Sequence, residues 1–205
     1  MGNLKDMRGK TLLEVGSGRG GGLSYLTRTG KPDRAVGVDF AQTQVDFCNQ
    51  VHAEVDNLEF IQGDAQRLEQ LAPTLNSEAF DYALNVESSH CYGDIGAFFR
   101  GVHWALKPDG RLFYTDFRTV EEVAPLEAAM EQAGFRVEKK ENITANVLQA
   151  LKLDGDRKRA VLDNHIHCLI RPLFRKFIGL EGSRIYQEFH DGQTQYLAYS
   201  LRKKD

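Results

Sequence analysis

The chain has 205 residues, 41% of them hydrophobic and 27% charged, with a formal net charge of −3. That is enough for one full hydrophobic core, and a near-neutral balance points away from nucleic acid as a partner. No apolar run approaches the roughly 18 residues of a membrane span, and "MGNLKDMRGK" does not read as a signal peptide. Cys48, Cys91 and Cys168 form no CxxC pair, so the expectation is a single domain over residues 1–205 in a reducing cytoplasm, without integral membrane association.

"TLLEV" (11–15) reads as a short buried strand with glycines directly behind it. "GLSYLTRT" is helical and stops at Gly30-Lys31-Pro32. "RAVGVDF" (34–40) is a second strand, and "TQVDFCNQVHAEV" a second helix with Val45, Cys48 and His52 along one side. "LEFIQGDA" (58–65) is a third strand, followed by the short helix "AQRLEQL". "FDYALNVES" (80–88) gives a fourth strand and "IGAFFRGVHWAL" a helix closed by Lys107-Pro108-Asp109-Gly110. "RLFYTDF" (111–117) is a fifth strand, "VEEVAPLEAAMEQAG" a fifth helix, and "FRVEKKENIT" a sixth strand. Residues from about 143 to 182 look helical and amphipathic, with breaks near Gly155, Pro172 and Gly179; their basic clusters "DRKRA" and "RPLFRKF" read as a solvated helix face. "SRIYQEFHDG" fits a helix capped by Ser183 and ended by Gly192, or a strand entering an Asp191-Gly192 hairpin. "TQYLAYSLRK" is the last strand, which makes seven.

Alternation at this spacing predicts a mostly parallel sheet with helices on both faces, the insertion at 143–182 being free to roof a site. Ligands of such sheets bind at the carboxyl ends of the strands. That rule selects Gly16–Gly21, Asp39, Asp64, Glu87–Tyr92 and Asp116–Arg118.

The glycines fit two fingerprints at once, since Gly16-x-Gly18-x-x-Gly21 suits a dinucleotide and Gly16-x-Gly18-x-Gly20 suits S-adenosylmethionine (SAM). Asp39 suits a ribose diol in either case, because a carboxylate accepts two hydroxyl donors. Three features choose between them. Glu14 would be awkward beside a pyrophosphate but suits the ammonium of a methionine moiety. Gly63-Asp64-Ala65 places an acceptor where an adenine amino group could donate, and no separate nicotinamide domain fits the length. The plainer alternatives are an ion pair between Glu14 and a nearby Arg or Lys, and a helix cap at Asp64.

"LLEVGSGRGGG", "GVDF", "GDA", "NVESSHCY" and "LKPDGRLFYTDFR" together resemble the class I SAM-dependent methyltransferases of small-molecule type. The pattern is most similar to the mycobacterial phthiotriolone/phenolphthiotriolone dimycocerosate methyltransferases, through "GGGLSYLTRT", "ESSHCY" and "TDFR". The resemblance implies the Rossmann-like class I fold and SAM as cofactor. By position, Glu14, Gly16, Ser17, Gly18 and Gly20 would surround the methionine end, and Asp39 the ribose, with Phe40 and Gln44 beside it. Asp64 and Ala65 would face the adenine, and Asn85, Val86 and Glu87 the sulfonium. Such enzymes usually carry an N-terminal helical lid, whereas about ten residues precede the first strand here. A truncated form, or an acceptor reached from an open face, is the expectation.

Methyl transfer from a sulfonium is an in-line displacement that needs alignment and exclusion of water, with no intrinsic need for metal. A hydroxyl acceptor also needs a base. His90, just past the fourth strand, suits that task, with Asp116 at the end of the fifth to orient it. Sugar O-methyltransferases similar to this chain use a His and an Asp at matching positions; the plainer alternative is a loop His and a turn-capping Asp. Tyr92, Phe174 and Phe177 are candidate acceptor contacts, while Phe98 and Phe99 read as core or lid. The chain lacks the Asn/Asp-Pro-Pro-Tyr/Phe run of amine methylators, and His165-x-His167-Cys168 lacks ligand spacing, so no metal is expected. The leading reading is a methyltransferase acting on a hydroxyl of a small, lipidic or polyketide molecule. A nicotinamide-dependent oxidoreductase and a non-catalytic SAM-binding protein are the alternatives.

Overall fold

The computed structural model describes residues 7–154 and 183–204. In chain order the elements are β1 (Thr11–Val15), α1 (Gly21–Gly30), β2 (Arg34–Asp39), α2 (Gln42–Val51), β3 (Leu58–Gln62), β4 (Phe80–Val86) and α3 (Ile95–Ala105). There follow β5 (Leu106–Thr119), α4 (Val120–Gln132), β6 (Phe135–Asn142), α5 (Thr144–Leu153), α6 (Arg184–His190) and β7 (Thr194–Lys203).

The seven strands form one sheet in the order β3-β2-β1-β4-β5-β7-β6. The pairs β1–β2, β1–β4, β2–β3 and β4–β5 are parallel. β7 runs against β5: Lys203 reaches the Leu106 carbonyl, Arg202 pairs with Asp109, and Tyr199 stands beside Tyr114, so the numbers fall as their partners' rise. The chain reverses beside β1, where β2 lies on one side and β4 on the other. That reversal opens the crevice in which ligands of such sheets sit.

Two local expectations change. "AQRLEQL" yields only a 3-10 turn at Leu68–Leu71. Strand pairing also persists through Lys107-Pro108-Asp109-Gly110, with Phe80 opposite Leu106 and Tyr82 opposite Arg111. The turn residues are thus absorbed as a bulge inside β5, and Asp109 takes φ +63° to make it. The helix alternative holds for "SRIYQEFH", whose Ser183 hydroxyl accepts the Tyr186 N–H.

The described residues divide into two compact units. The first runs to Asp116 and includes Ala124–Lys140 and the residues from Ala198 onward. In it, β1 is buried on both faces, as a central parallel strand must be. Leu12 joins Met7, Leu23, Ala35, Val45, Cys48 and Phe60 in a cluster under α1 and α2. Phe98 and Phe99 of α3 have no exposed surface and stack on each other at 5.0 Å, which assigns them to the core. In the second unit, Phe117–Val123 with the described part of Glu141–Leu197, Phe117, Phe189 and Tyr196 form an aromatic triangle 6.0–6.3 Å on a side. Of the helical insertion expected at 143–182, Thr144–Leu153 is the helix α5; residues 155–182, with the basic clusters, His165, His167, Cys168, Phe174 and Phe177, lie outside the described residues.

Candidate active site

The first unit carries the site on the loops that follow β1 to β5. After β1 the backbone turns sharply: Gly16 and Ser17 both donate to the Val38 carbonyl, at 2.8 and 3.0 Å. Gly16 lies at φ +74°, and a Cβ there would collide with the Ser88 hydroxyl and stand 2.9 Å from the Tyr92 hydroxyl. Gly20, at φ +70°, lies against the Phe60 ring, 2.5 Å from where a Cβ would be. Two positions therefore need glycine for conformation and for space. Gly16→Ala is expected to destabilise the fold by about 1–3 kcal/mol and to abolish cofactor binding, checked by thermal melts and calorimetry.

Neighbours hold the loop from three sides. The Gly18 N–H donates to Asp39 Oδ2 at 2.8 Å. The Cys48 thiol donates to the Gly18 carbonyl at 3.2 Å, and the His52 ring nitrogen meets the Arg19 carbonyl at 3.0 Å. Because a carbonyl only accepts, His52 carries its proton on Nε2. Of the side expected to carry Val45, Cys48 and His52, the last two brace the glycine loop, while Val45 packs in the core.

Glu14, two residues beyond Leu12 on the same strand face, ends under the first turn of α1. It is 7% exposed, and burial pushes its carboxyl up to about 7, against the opposing bond from the Leu23 N–H. Its Oε2 is buried without a partner, so the Arg or Lys pairing is not made. A buried acceptor left open at the end of β1 calls for a cationic donor.

Gly16, Asp39, Phe40, Asp64, Ala65, Glu87 and Tyr92 line one cavity of about 420 Å³, within the usual range for small-molecule sites. Val38, Gly63, Gln66, Ser88 and Cys91 complete it; Ser88 and Cys91 fall in the Glu87–Tyr92 run selected by the strand-end rule and Gly63 precedes Asp64, whereas Val38 and Gln66 were missed. Asp64 lines the cavity and accepts the Gln66 N–H at 2.9 Å in a local turn, but it does not cap the 3-10 turn at Leu68–Leu71, whose N-cap is Arg67 without a side-chain bond. Gln44 is half-buried on α2, Val86 is exposed, and neither lines the cavity.

Asn85 is fully buried rather than open to the ligand. Its amide nitrogen lies 2.9 Å from the Val15 carbonyl, 2.8 Å from Ser88 Oγ and 3.1 Å from the Tyr92 hydroxyl, two N–H protons shared among three acceptors, and latches the end of β4 to the end of β1. The opposite amide orientation would set oxygen against the Val15 carbonyl, which fixes this one. Burial raises the Tyr92 phenol above its usual value, with Ser88 and Asn85 opposing. Tyr92, expected at the acceptor, is a wall of this cavity.

His90 and Asp116 do meet. His90 Nδ1 lies 3.0 Å from Asp116 Oδ1, the His90 backbone N–H donates to Oδ2 at 2.9 Å, and the Ser89 hydroxyl donates to Oδ2 at 2.6 Å. The Asp116 side chain has no exposed surface, while that of His90 is 30% exposed. This is an orienting carboxylate behind a reachable imidazole.

An α/β sheet of this order, with a glycine loop after β1, a carboxylate after β2 and an acid–imidazole pair across β4 and β5, has the architecture of a class I SAM-dependent methyltransferase. The comparisons with known proteins agree. Residues 6–192 match the family model described as a methyltransferase domain, and the chain belongs to that family. It is 35% identical to the phthiotriol/phenolphthiotriol dimycocerosates methyltransferase of Mycobacterium tuberculosis, over 97% of this chain and 71% of that protein. A fatty-acid O-methyltransferase of Mycolicibacterium smegmatis is also 35% identical, over 97% of this chain and 69% of the relative. In fold it is similar to a geranyl diphosphate C-methyltransferase from Streptomyces coelicolor A3(2), with a TM-score of 0.70 at 20% identity, over 95% of this chain and 73% of that one. The chain is therefore a methyltransferase with SAM as cofactor, and the oxidoreductase alternative is set aside. The residues present fit that cofactor: the open Glu14 oxygen suits an ammonium, and would repel a pyrophosphate.

Proposed function

We propose that the chain works as one cytoplasmic methyltransferase domain that transfers a methyl group to a hydroxyl oxygen of a small lipidic or polyketide molecule. SAM, when bound, supplies a methyl group on a positively charged sulfur. Glu14 with Gly16, Ser17, Gly18 and Gly20 would hold the methionine end, Asp39 with Phe40 the ribose, and Asp64 with Ala65 the adenine. Gln44, Val86 and Glu87 stand around these, and Tyr92 and Ser88 form the wall against Gly16.

The observation that carries the acceptor class is the His90–Asp116 pair. A carboxylate acceptor is already deprotonated at neutral pH and needs no base, whereas an alcohol or phenol does. With Nδ1 donated to Asp116, His90 presents Nε2 as its basic nitrogen and takes the hydroxyl proton there. The relatives' names join methyl transfer to lipidic acceptors, one of them at oxygen, which supports a lipidic molecule. Phe174 and Phe177 remain the candidate apolar contacts for it. Among the described residues no helix is long and apolar enough to cross a membrane.

The test is a mass-shift assay with SAM on matched long-chain alcohols, phenolic polyketides and free fatty acids. A gain of one methyl on the hydroxyl compounds is expected. Methyl esters of fatty acids as the sole product would overturn the hydroxyl assignment.

A further inference from the structure

We propose that Ser89 and Tyr114 are positioning residues, a buried hydroxyl relay that fixes Asp116 as an acceptor and thereby sets the pH range in which His90 works as a base. The inference rests on the reading of His90 as that base.

Tyr114 and Asp116 stand two residues apart on β5 and so share one face of the sheet. Ser89, 2% exposed in the turn after β4, sits between them. Its hydroxyl lies 2.7 Å from the Tyr114 hydroxyl and 2.6 Å from Asp116 Oδ2. Proton counting gives the direction. Oδ2 also receives the His90 backbone N–H, so two donors converge on one carboxylate oxygen. Ser89 has one hydroxyl proton and gives it to Asp116, so Tyr114 must donate to Ser89. The Ser89–Asp116 separation falls in the range of about 2.5–2.7 Å typical of a hydroxyl on a charged oxygen. The relay therefore runs from Tyr114 to Ser89 to Asp116, with His90 donating from the other side.

Packing holds this order in place. Tyr114 has no exposed surface and lies between Phe99, at 5.6 Å, and Tyr199, at 6.0 Å. Bonds aligned head to tail in a dry interior polarise one another. The consequence falls on His90. Each donor on Oδ2 spreads the carboxylate charge, which weakens its grip on the imidazole proton. Without the Ser89 hydroxyl that grip tightens, and the imidazole gives up its proton only at higher pH. Among the described residues, His90 bonds Asp116 directly, Tyr114 reaches it through Ser89, and Tyr92 feels it through its field.

The experiment compares wild type, Ser89→Ala and Tyr114→Phe, which keeps the packed ring. Two readouts are taken: the pH profile of kcat/KM, and the titration of the His90 imidazole by NMR in the free protein. In Ser89→Ala the acidic limb and the imidazole midpoint are expected to rise together by about one pH unit. That is about a tenfold loss at pH values below both midpoints, and the gap closes above them. Tyr114→Phe is expected to move both the same way by a smaller amount. A loss uniform across pH with an unmoved imidazole midpoint overturns the relay. Wild-type turnover by His90→Ala would instead overturn the reading of His90 as base, and the NMR midpoint would still decide whether Ser89 and Tyr114 act on the imidazole.

Discussion

Asp116→Asn is expected to lower kcat by about 10²- to 10⁴-fold, as much as His90→Ala, while S-adenosylhomocysteine binds as in wild type. The reason is in the donors around the carboxylate. Ser89 and the His90 backbone N–H both point at Oδ2, so an asparagine must place its only oxygen there. Its amide nitrogen then occupies the Oδ1 position, 3.0 Å from His90 Nδ1, with hydrogens facing that ring nitrogen. His90 can meet them only by accepting at Nδ1, which moves its own proton to Nε2. The nitrogen that faces the acceptor becomes a donor, and the base is lost with the geometry intact. Product-binding calorimetry separates this from damage to the cofactor cavity, because Asp116 does not line it. Turnover within threefold of wild type in both variants would mean that the acceptor arrives already ionised.

The contrast between what the residues announced and what they hid has a physical basis. Which segments become strands, and the expectation that a ligand sits at their carboxyl ends, follow from hydrophobic period and chain direction, which are local properties; the order of the strands in the sheet does not. Glu14, Asp39 and Asp64 stand out in the sequence because each lies at or near the carboxyl end of a strand, where charge is out of place in an apolar run. The fit of Phe60 against Gly20 and Gly37 was not legible, because it joins three segments whose packing depends on the folded sheet. Asn85 was read as a ligand contact from its place after β4; the direction of its amide toward the Val15 carbonyl is set by the neighbouring strand. Ser89 and Tyr114 look like an ordinary loop serine and strand tyrosine until Asp116 is placed between them and His90. The bulge in β5 escaped because Pro-Asp-Gly signals a turn, and only the pairing with β4 shows the turn lying inside a strand.

Glu14 carries the second large effect, and its sign can be worked through. Its carboxyl is raised from 4.5 to about 7 in the folded chain. Below the lower value it is protonated in both states and contributes no difference. Between the two values the unfolded chain loses its proton first, so folding becomes less favourable as pH rises. Above the upper value the penalty is constant, on the order of 3 kcal/mol. Glu14→Gln is therefore expected to melt above wild type at pH 8 and with it at pH 4, in the free protein. Binding reverses the balance. An ammonium beside Glu14 favours the carboxylate, so association must expel a proton from it at low pH. Affinity for S-adenosylhomocysteine is expected to rise by up to about tenfold per pH unit toward 7, then to fall only at the alkaline pH where the ligand's own α-ammonium loses its proton. Calorimetry of Glu14→Gln should show weaker binding with the acid limb flattened and the alkaline limb kept. An unchanged acid limb would place the coupled proton on another group and leave the buried carboxylate of β1 without its ammonium partner.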